Sequence, residues 1–190
     1  MAKQSKSLTE RKRFTDSHLP SRSTLERQIS RRATYKQTGK RRHDSTLLKI
    51  DSRLAESVSK HKGMLLFSGL TELSDAAAES FSKHKGGDLS LDGLTELSDA
   101  AVESLSKHKG ALSLNGLTEL SDEAAKSLSK FEGGLCIDGL TELTDAAAES
   151  LAKHKGGLYL DGLTELSDAA AKSLSKHEGL LYLDGLTELS

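Results

Sequence analysis

From Thr46 onward the apolar residues recur in one short phrase. In the unit that starts at Gly157, Leu158-Tyr159-Leu160 alternates apolar, variable, apolar, which is the period of a short strand with one buried face. Leu163 and Leu166 follow at steps of three, a spacing suited to a turn that keeps pointing inward. Ser167-Asp168 then precedes Ala169-Ala170-Ala171, and Leu174 falls on the same helical face as Ala170 and Ala171. Ser167 is the expected N-cap, and Asp168 sits where the helix dipole favours an anion. The small alanines let this helix approach the strand layer closely. Lys176 is expected in the last helical turn, and Gly156 and Gly179 are expected to stop the helices.

The phrase is copied along the chain. Gly-Leu-Thr-Glu-Leu recurs at Gly69, Gly93, Gly116, Gly139, Gly162 and Gly185, at spacings of 24, 23, 23, 23 and 23 residues. A fixed period in this range predicts a solenoid, because each unit is too small to bury its apolar face except against the next. The pattern Leu158-x-Leu160-x-x-Leu163-x-x-Leu166-Ser167-Asp168, followed by Leu174, resembles the leucine-rich repeat in its cysteine-containing or bacterial-like variety. The resemblance covers roughly three quarters of the chain. It implies an α/β solenoid with parallel strands on a concave face and helices on a convex one. One departure stands out: Leu94, Leu117, Leu140, Leu163 and Leu186 occupy the place where that family carries Cys or Asn. An apolar ladder is therefore expected where the family has a polar one.

The array, residues 45–190, has two unlike ends. The first unit, 45–68, is degenerate; Leu47, Ile50, Leu54 and Val58 hold helical spacing and predict a capping helix. The last unit stops at Ser190 before its helix, so the strand at 181–183 is expected as an open edge, with Leu183, Leu186 and Leu189 uncovered. Self-association at that end or a cover from elsewhere would answer it, and so would the alternative that these residues are a truncated fragment of a longer repeat array without independent function. The extra residue near Gly86-Gly87-Asp88 is expected to form a local bulge.

Charge divides the chain differently from its near-neutral total. Residues 1–45 hold 13 Lys/Arg and 4 Asp/Glu, a net of +9, and residues 46–190 hold 14 and 24, a net of −10. The segment 1–44 is basic, polar and poor in apolar residues, so it is expected to be mostly disordered. Ser23 and Glu26 have capping-box spacing ahead of Leu25 and Ile29, enough for a short local helix. Arg11-Lys12-Arg13 and Lys40-Arg41-Arg42 suit contact with phosphates, and equally a solvated tail that aids solubility. Nucleic-acid or other polyanion binding through this arm would fall steeply with salt. No apolar run reaches the ~18 residues of a membrane span, and no apolar segment of a signal peptide follows Lys3 and Lys6. Cys136 is the lone cysteine, which excludes an internal disulfide and fits a reducing, cytoplasmic compartment.

Stacked units turn equivalent positions into columns about 4.8 Å apart. Two should line the concave face: Leu66, Ser90, Ser113, Cys136, Tyr159, Tyr182, and Ser68, Asp92, Asn115, Asp138, Asp161, Asp184. The first varies more than the Gly-Leu-Thr-Glu-Leu segment, as a binding face would, and as unconstrained drift would. The aspartates suit a cation or a basic peptide, or simply a solvated acidic stripe; one carboxylate per strand is too few for calcium. On that reading Asp161→Lys spares the fold and Leu160→Asp ruins it. Glu72, Glu96, Glu119, Glu142, Glu165 and Glu188 form a second acidic column. His61, His84, His108, His154 and His177 form another, and Phe131 in the same place argues for ring packing over metal ligation. Cys136 has no expected base, since the histidines lie at the far end of the strand. The residues therefore point to a non-catalytic, cofactor-free protein-binding module.

Overall fold

The computed structural model describes residues 49–189, apart from Asp51 and Gly86. Six two-residue strands recur through it: β2 (Leu65–Leu66), β4 (Leu89–Ser90), β5 (Leu112–Ser113), β6 (Leu135–Cys136), β7 (Leu158–Tyr159) and β9 (Leu181–Tyr182). They form one parallel sheet in the order β2-β4-β5-β6-β7-β9, each strand paired with the equivalent residues of the next unit. Short as the strands are, the ladder extends past them; Leu91 N–H donates to the Ser113 carbonyl and Leu114 N–H to that of Cys136. Helices alternate with these strands, one before β2 and one in each interval up to β9: α1 (Ser52–Ser59), α2 (Asp75–Ser82), α3 (Asp99–Leu105), α4 (Asp122–Leu128), α5 (Asp145–Leu151) and α6 (Asp168–Leu174). This alternation at a period of about 23 residues is compatible with a solenoid. Two outlying parallel pairs complete it: β1 (Lys49–Ile50) with β3 (Glu72–Leu73), and β8 (Glu165–Leu166) with β10 (Glu188–Leu189).

The core lies between sheet and helices and is the sequence phrase made solid. Leu89, Leu112, Leu135 and Leu158 are buried, as are Leu91, Leu114, Ile137 and Leu160 two residues on. Leu94, Leu117, Leu140 and Leu163 form a buried apolar column under the turn. From the helices come Ala124, Ala125 and Leu128 and their equivalents. Each buried leucine is worth about 1.5–3 kcal/mol of transfer free energy. Helices of seven or eight residues would not persist alone, so this packing is what holds them.

Hydrogen bonds between units begin at the helix starts. Ser98, Ser121, Thr144 and Ser167 each accept from the third helical N–H, as a cap does, at 3.0–3.1 Å. Each hydroxyl then donates its proton to the aspartate that opens the preceding helix: Ser98 to Asp75, Ser121 to Asp99, Thr144 to Asp122, Ser167 to Asp145, all at 2.5 Å. The Ser-Asp pair is thus at once a cap and a splice between units.

Three expectations change. Ile50 lies on β1 opposite Leu73, not on the capping helix, which begins at Ser52. A strand there lets Ile50 reach the core, where it is buried. Lys176 lies past the end of α6, because the turn closes tightly through His177 N–H to the Leu174 carbonyl. Gly156 and Gly179 do not stop helices; α5 and α6 end at Leu151 and Leu174 on right-handed caps. Those glycines exist because a Cβ would strike the carbonyl of the equivalent glycine one unit earlier. Near the expected bulge, Gly87 takes a φ of +138°, and the strand register Leu65↔Leu89 that follows is unbroken.

At the sheet edge, Leu181, Tyr182, Leu183 and Leu186 are half-buried and Leu180 is 43% exposed. Among the described residues no helix is long and apolar enough to cross a membrane.

Candidate functional site

Strand alternation sends every second side chain away from the helices, and parallel register lines these up. Ser90 stands beside Ser113, Ser113 beside Cys136, Cys136 beside Tyr159 and Tyr159 beside Tyr182. The first half of the row is recessed. Ser90 and Ser113 are only 4% and 9% exposed, because both hydroxyls bond to the carboxylate of Asp92, at 2.7 and 2.5 Å. The second half presents larger groups. Cys136 and Tyr159 are half-buried, and the Tyr159 and Tyr182 rings stack with centroids 4.6 Å apart and planes 4° from parallel. Burial first, then the neighbouring Tyr182, push the Tyr159 phenol above its ordinary range, so it stays protonated and able to donate.

The next row does something the sequence reading missed. Asp92 Oδ1 accepts from the backbone N–H of Asn115 at 3.0 Å, and Asn115 Oδ1 from that of Asp138 at 3.0 Å. Asp138 serves Asp161 at 3.1 Å, and Asp161 serves Asp184 at 2.9 Å. These N–H groups lie just past the strands, where the sheet ladder has run out, and a side chain of the preceding unit takes over. The expectation of a free acidic stripe is therefore corrected, and so is the expectation that Asp161→Lys spares the structure: lysine has no acceptor for Asp184 N–H. A polar ladder is present after all, displaced from the leucine column. The clue was Asn115, since Asn and Asp share an acceptor oxygen and not a charge. Asp138→Lys should cost about 1–2 kcal/mol, the loss of an acceptor from a part-buried N–H. Asp138→Asn should stay within about 0.5 kcal/mol. Urea unfolding of the two variants checks this.

Glu72, Glu96, Glu119, Glu142 and Glu165 are exposed on the adjoining turn. Lys83 beside Glu79 and Lys109 beside Glu132 hold those two exposed carboxyls below their usual range, by hydrogen bond first and charge second. The histidines sit at the other end of each unit, between helix and strand. His84, His108 and His154 are buried, with Phe131 stacked on His154 at 5.9 Å. Cys136 belongs to the sheet row and the histidines to these turns. Arg11, Lys12, Arg13, Lys40, Arg41 and Arg42 lie outside the described residues. Compared with known proteins, the chain matches no family model, no curated protein and no solved structure.

Proposed function

We propose that the chain is a non-catalytic protein-binding module of the leucine-rich-repeat type, with the strand row on its concave side as the binding face. The observation that carries this reading is the contrast between rows. The interior repeats Leu at nearly every level, whereas the outer row runs Leu66, Ser90, Ser113, Cys136, Tyr159, Tyr182. A face that only closed the sheet would need no such change of size and polarity. The stacked tyrosines supply the anchor: large, rigid and tipped with a donor. Asp138, Asp161 and Asp184 beside them favour a basic partner segment. Phenol faces attract cations, so arginine fits both rows at once.

The test is affinity capture from native lysate with the 190-residue chain and with Tyr159→Ala/Tyr182→Ala. The double variant should lose its captured protein by about 30-fold in affinity, the scale of an aromatic hot spot. Lys107→Ala, on an exposed helix end, should lose nothing. A folded double variant that captures as well as the unaltered chain overturns the reading, as does a chain that captures nothing.

A further inference from the structure

We propose that the buried histidine column makes the repeat array acid-labile, with His108 and His154 as the groups that force the turns apart below about pH 6.5. This stands independently of the binding role.

The geometry is unusual for ionisable side chains. His84, His108 and His154 are each 1% exposed. His84 stacks on His108 at 5.9 Å and 7°, and His154 on His177 at 6.1 Å and 7°. His84 is held at both ring nitrogens, by the carbonyls of Ser59 at 3.0 Å and Gly63 at 2.9 Å. His177 is held at one, by Gly156 at 3.1 Å. Among the described residues, neither ring nitrogen of His108 or of His154 makes a hydrogen bond. Parallel rings about 6 Å apart do not aim their lone pairs at a common point. Among the described residues no group of three His, Cys, Asp or Glu is placed to hold a metal. The rings therefore stack in two runs, His84 on His108 and Phe131 on His154 on His177, and a phenyl ring occupies one place in the second.

A proton arriving at His108 would enter a site that is 1% exposed. Burial opposes the charge first, and His84 opposes it second; the Asp88 carboxylate and the Gly87 and His84 carbonyls pull weakly the other way. For His154 burial again leads, then His177, against the carbonyls of Phe131, Gly133 and Gly157. Asp88 is already engaged with Ala111 N–H at 2.9 Å. The remaining charges on these turns, Lys85, Lys107, Lys109, Glu132, Lys153 and Lys155, are exposed. Both imidazoles thus hold protons less tightly folded than unfolded. Above about pH 6.5 neither state binds the proton and stability is unaffected. Below it the unfolded chain takes up protons more readily than the fold does, so stability falls as pH falls. Glu79 and Glu132 titrate below this window, since both are lowered from 4.5.

The test is urea unfolding of the 190-residue chain at pH 7.5 and 5.0, followed by circular dichroism, beside His108→Phe/His154→Phe. The phenyl ring of Phe131 shows the shape that fits. The folding constant of the unaltered chain should fall further on acidification than that of the double variant. Equal losses in the two chains overturn the proposal. If the variant does not fold, imidazole proton NMR of the unaltered chain decides. Protonation of His108 and His154 near pH 6.5 with the folded spectrum retained overturns the proposal; protonation only as the folded spectrum disappears supports it.

Discussion

Leu160→Asp should unfold the units around it, and the loss should exceed that of any single change on the outer rows. Leu160 is fully buried, one residue past β7, and its N–H donates to the Tyr182 carbonyl, so the backbone there cannot swing the side chain out. Truncating a buried leucine to alanine already costs about 2–5 kcal/mol. A carboxylate adds the penalty of an unpaired charge in an apolar layer, or forces its own protonation. A whole domain is held by only about 5–15 kcal/mol. Units in an array lean on their nearest neighbours, so the damage should spread to the levels of Ile137 and Leu183 before it fades. Thermal melts of Leu160→Asp and Leu160→Met check this: the first should lose cooperative melting, and the second should stay within about 1.5 kcal/mol of the parent. Comparable melts would mean that the strand face is assigned the wrong way round.

Adjacent glycines should respond to alanine with opposite signs. At Gly133 a Cβ would collide with the Gly110 carbonyl oxygen and lie 2.8 Å from the Phe131 ring. The carbonyl belongs to a backbone held in the stack and has nowhere to go. At Gly134 the nearest atom to a new Cβ is the Ala111 methyl at 3.8 Å, an ordinary contact. Neither position has a positive φ; among the described residues only Gly63 and Gly87 do. Gly134→Ala should therefore gain about 0.4–1 kcal/mol by restricting the unfolded chain. Gly133→Ala gets the same entropic benefit and loses more to the clash, on the order of 1–3 kcal/mol for an overpacked site. Urea midpoints of the pair decide it, and equal shifts would rule out close stacking of the turns. The chain already contains the contrast: the first position reads Gly87, Gly110, Gly133, Gly156, Gly179, and the second Asp88, Ala111, Gly134, Gly157, Leu180.

That contrast shows where the sequence was readable. Period, strand, cap and helix face were all legible, because each is a local pattern and the copies agree. Leu158 and Leu160 are buried, and Ser167 caps its helix. What stayed hidden were relations that skip a whole unit. Asp138 bonds to the N–H of Asp161, 23 residues later, and no local rule connects a surface carboxylate to a backbone group on the next strand. Asp122, the equivalent of Asp168 on an earlier helix, accepts the hydroxyl proton of Thr144 one unit later. The glycines were misread for the same reason, since the atom that forbids a side chain belongs to another turn. Ile50 failed through ambiguity: in a degenerate unit a short apolar run suits strand and helix alike, and the partner Leu73 decides it.

The two side-chain ladders have a consequence for how such a protein can change length. From Asp92 to Asp184 the junctions share their donors and acceptors: a carboxylate or amide oxygen accepts from the next backbone N–H, and the hydroxyls of Ser98, Ser121, Thr144 and Ser167 donate back to the previous aspartate. Excising residues 116–138 would join Asn115 to Gly139, which is the residue pair Asn115-Gly116 rewritten, and each surviving group would find a chemically equivalent partner on its new neighbour. A cut that is not a whole number of units would bring non-equivalent positions of neighbouring units together. Whole-unit duplication and loss are therefore the natural edits of this chain. The number of levels can drift between generations without any new interface having to evolve.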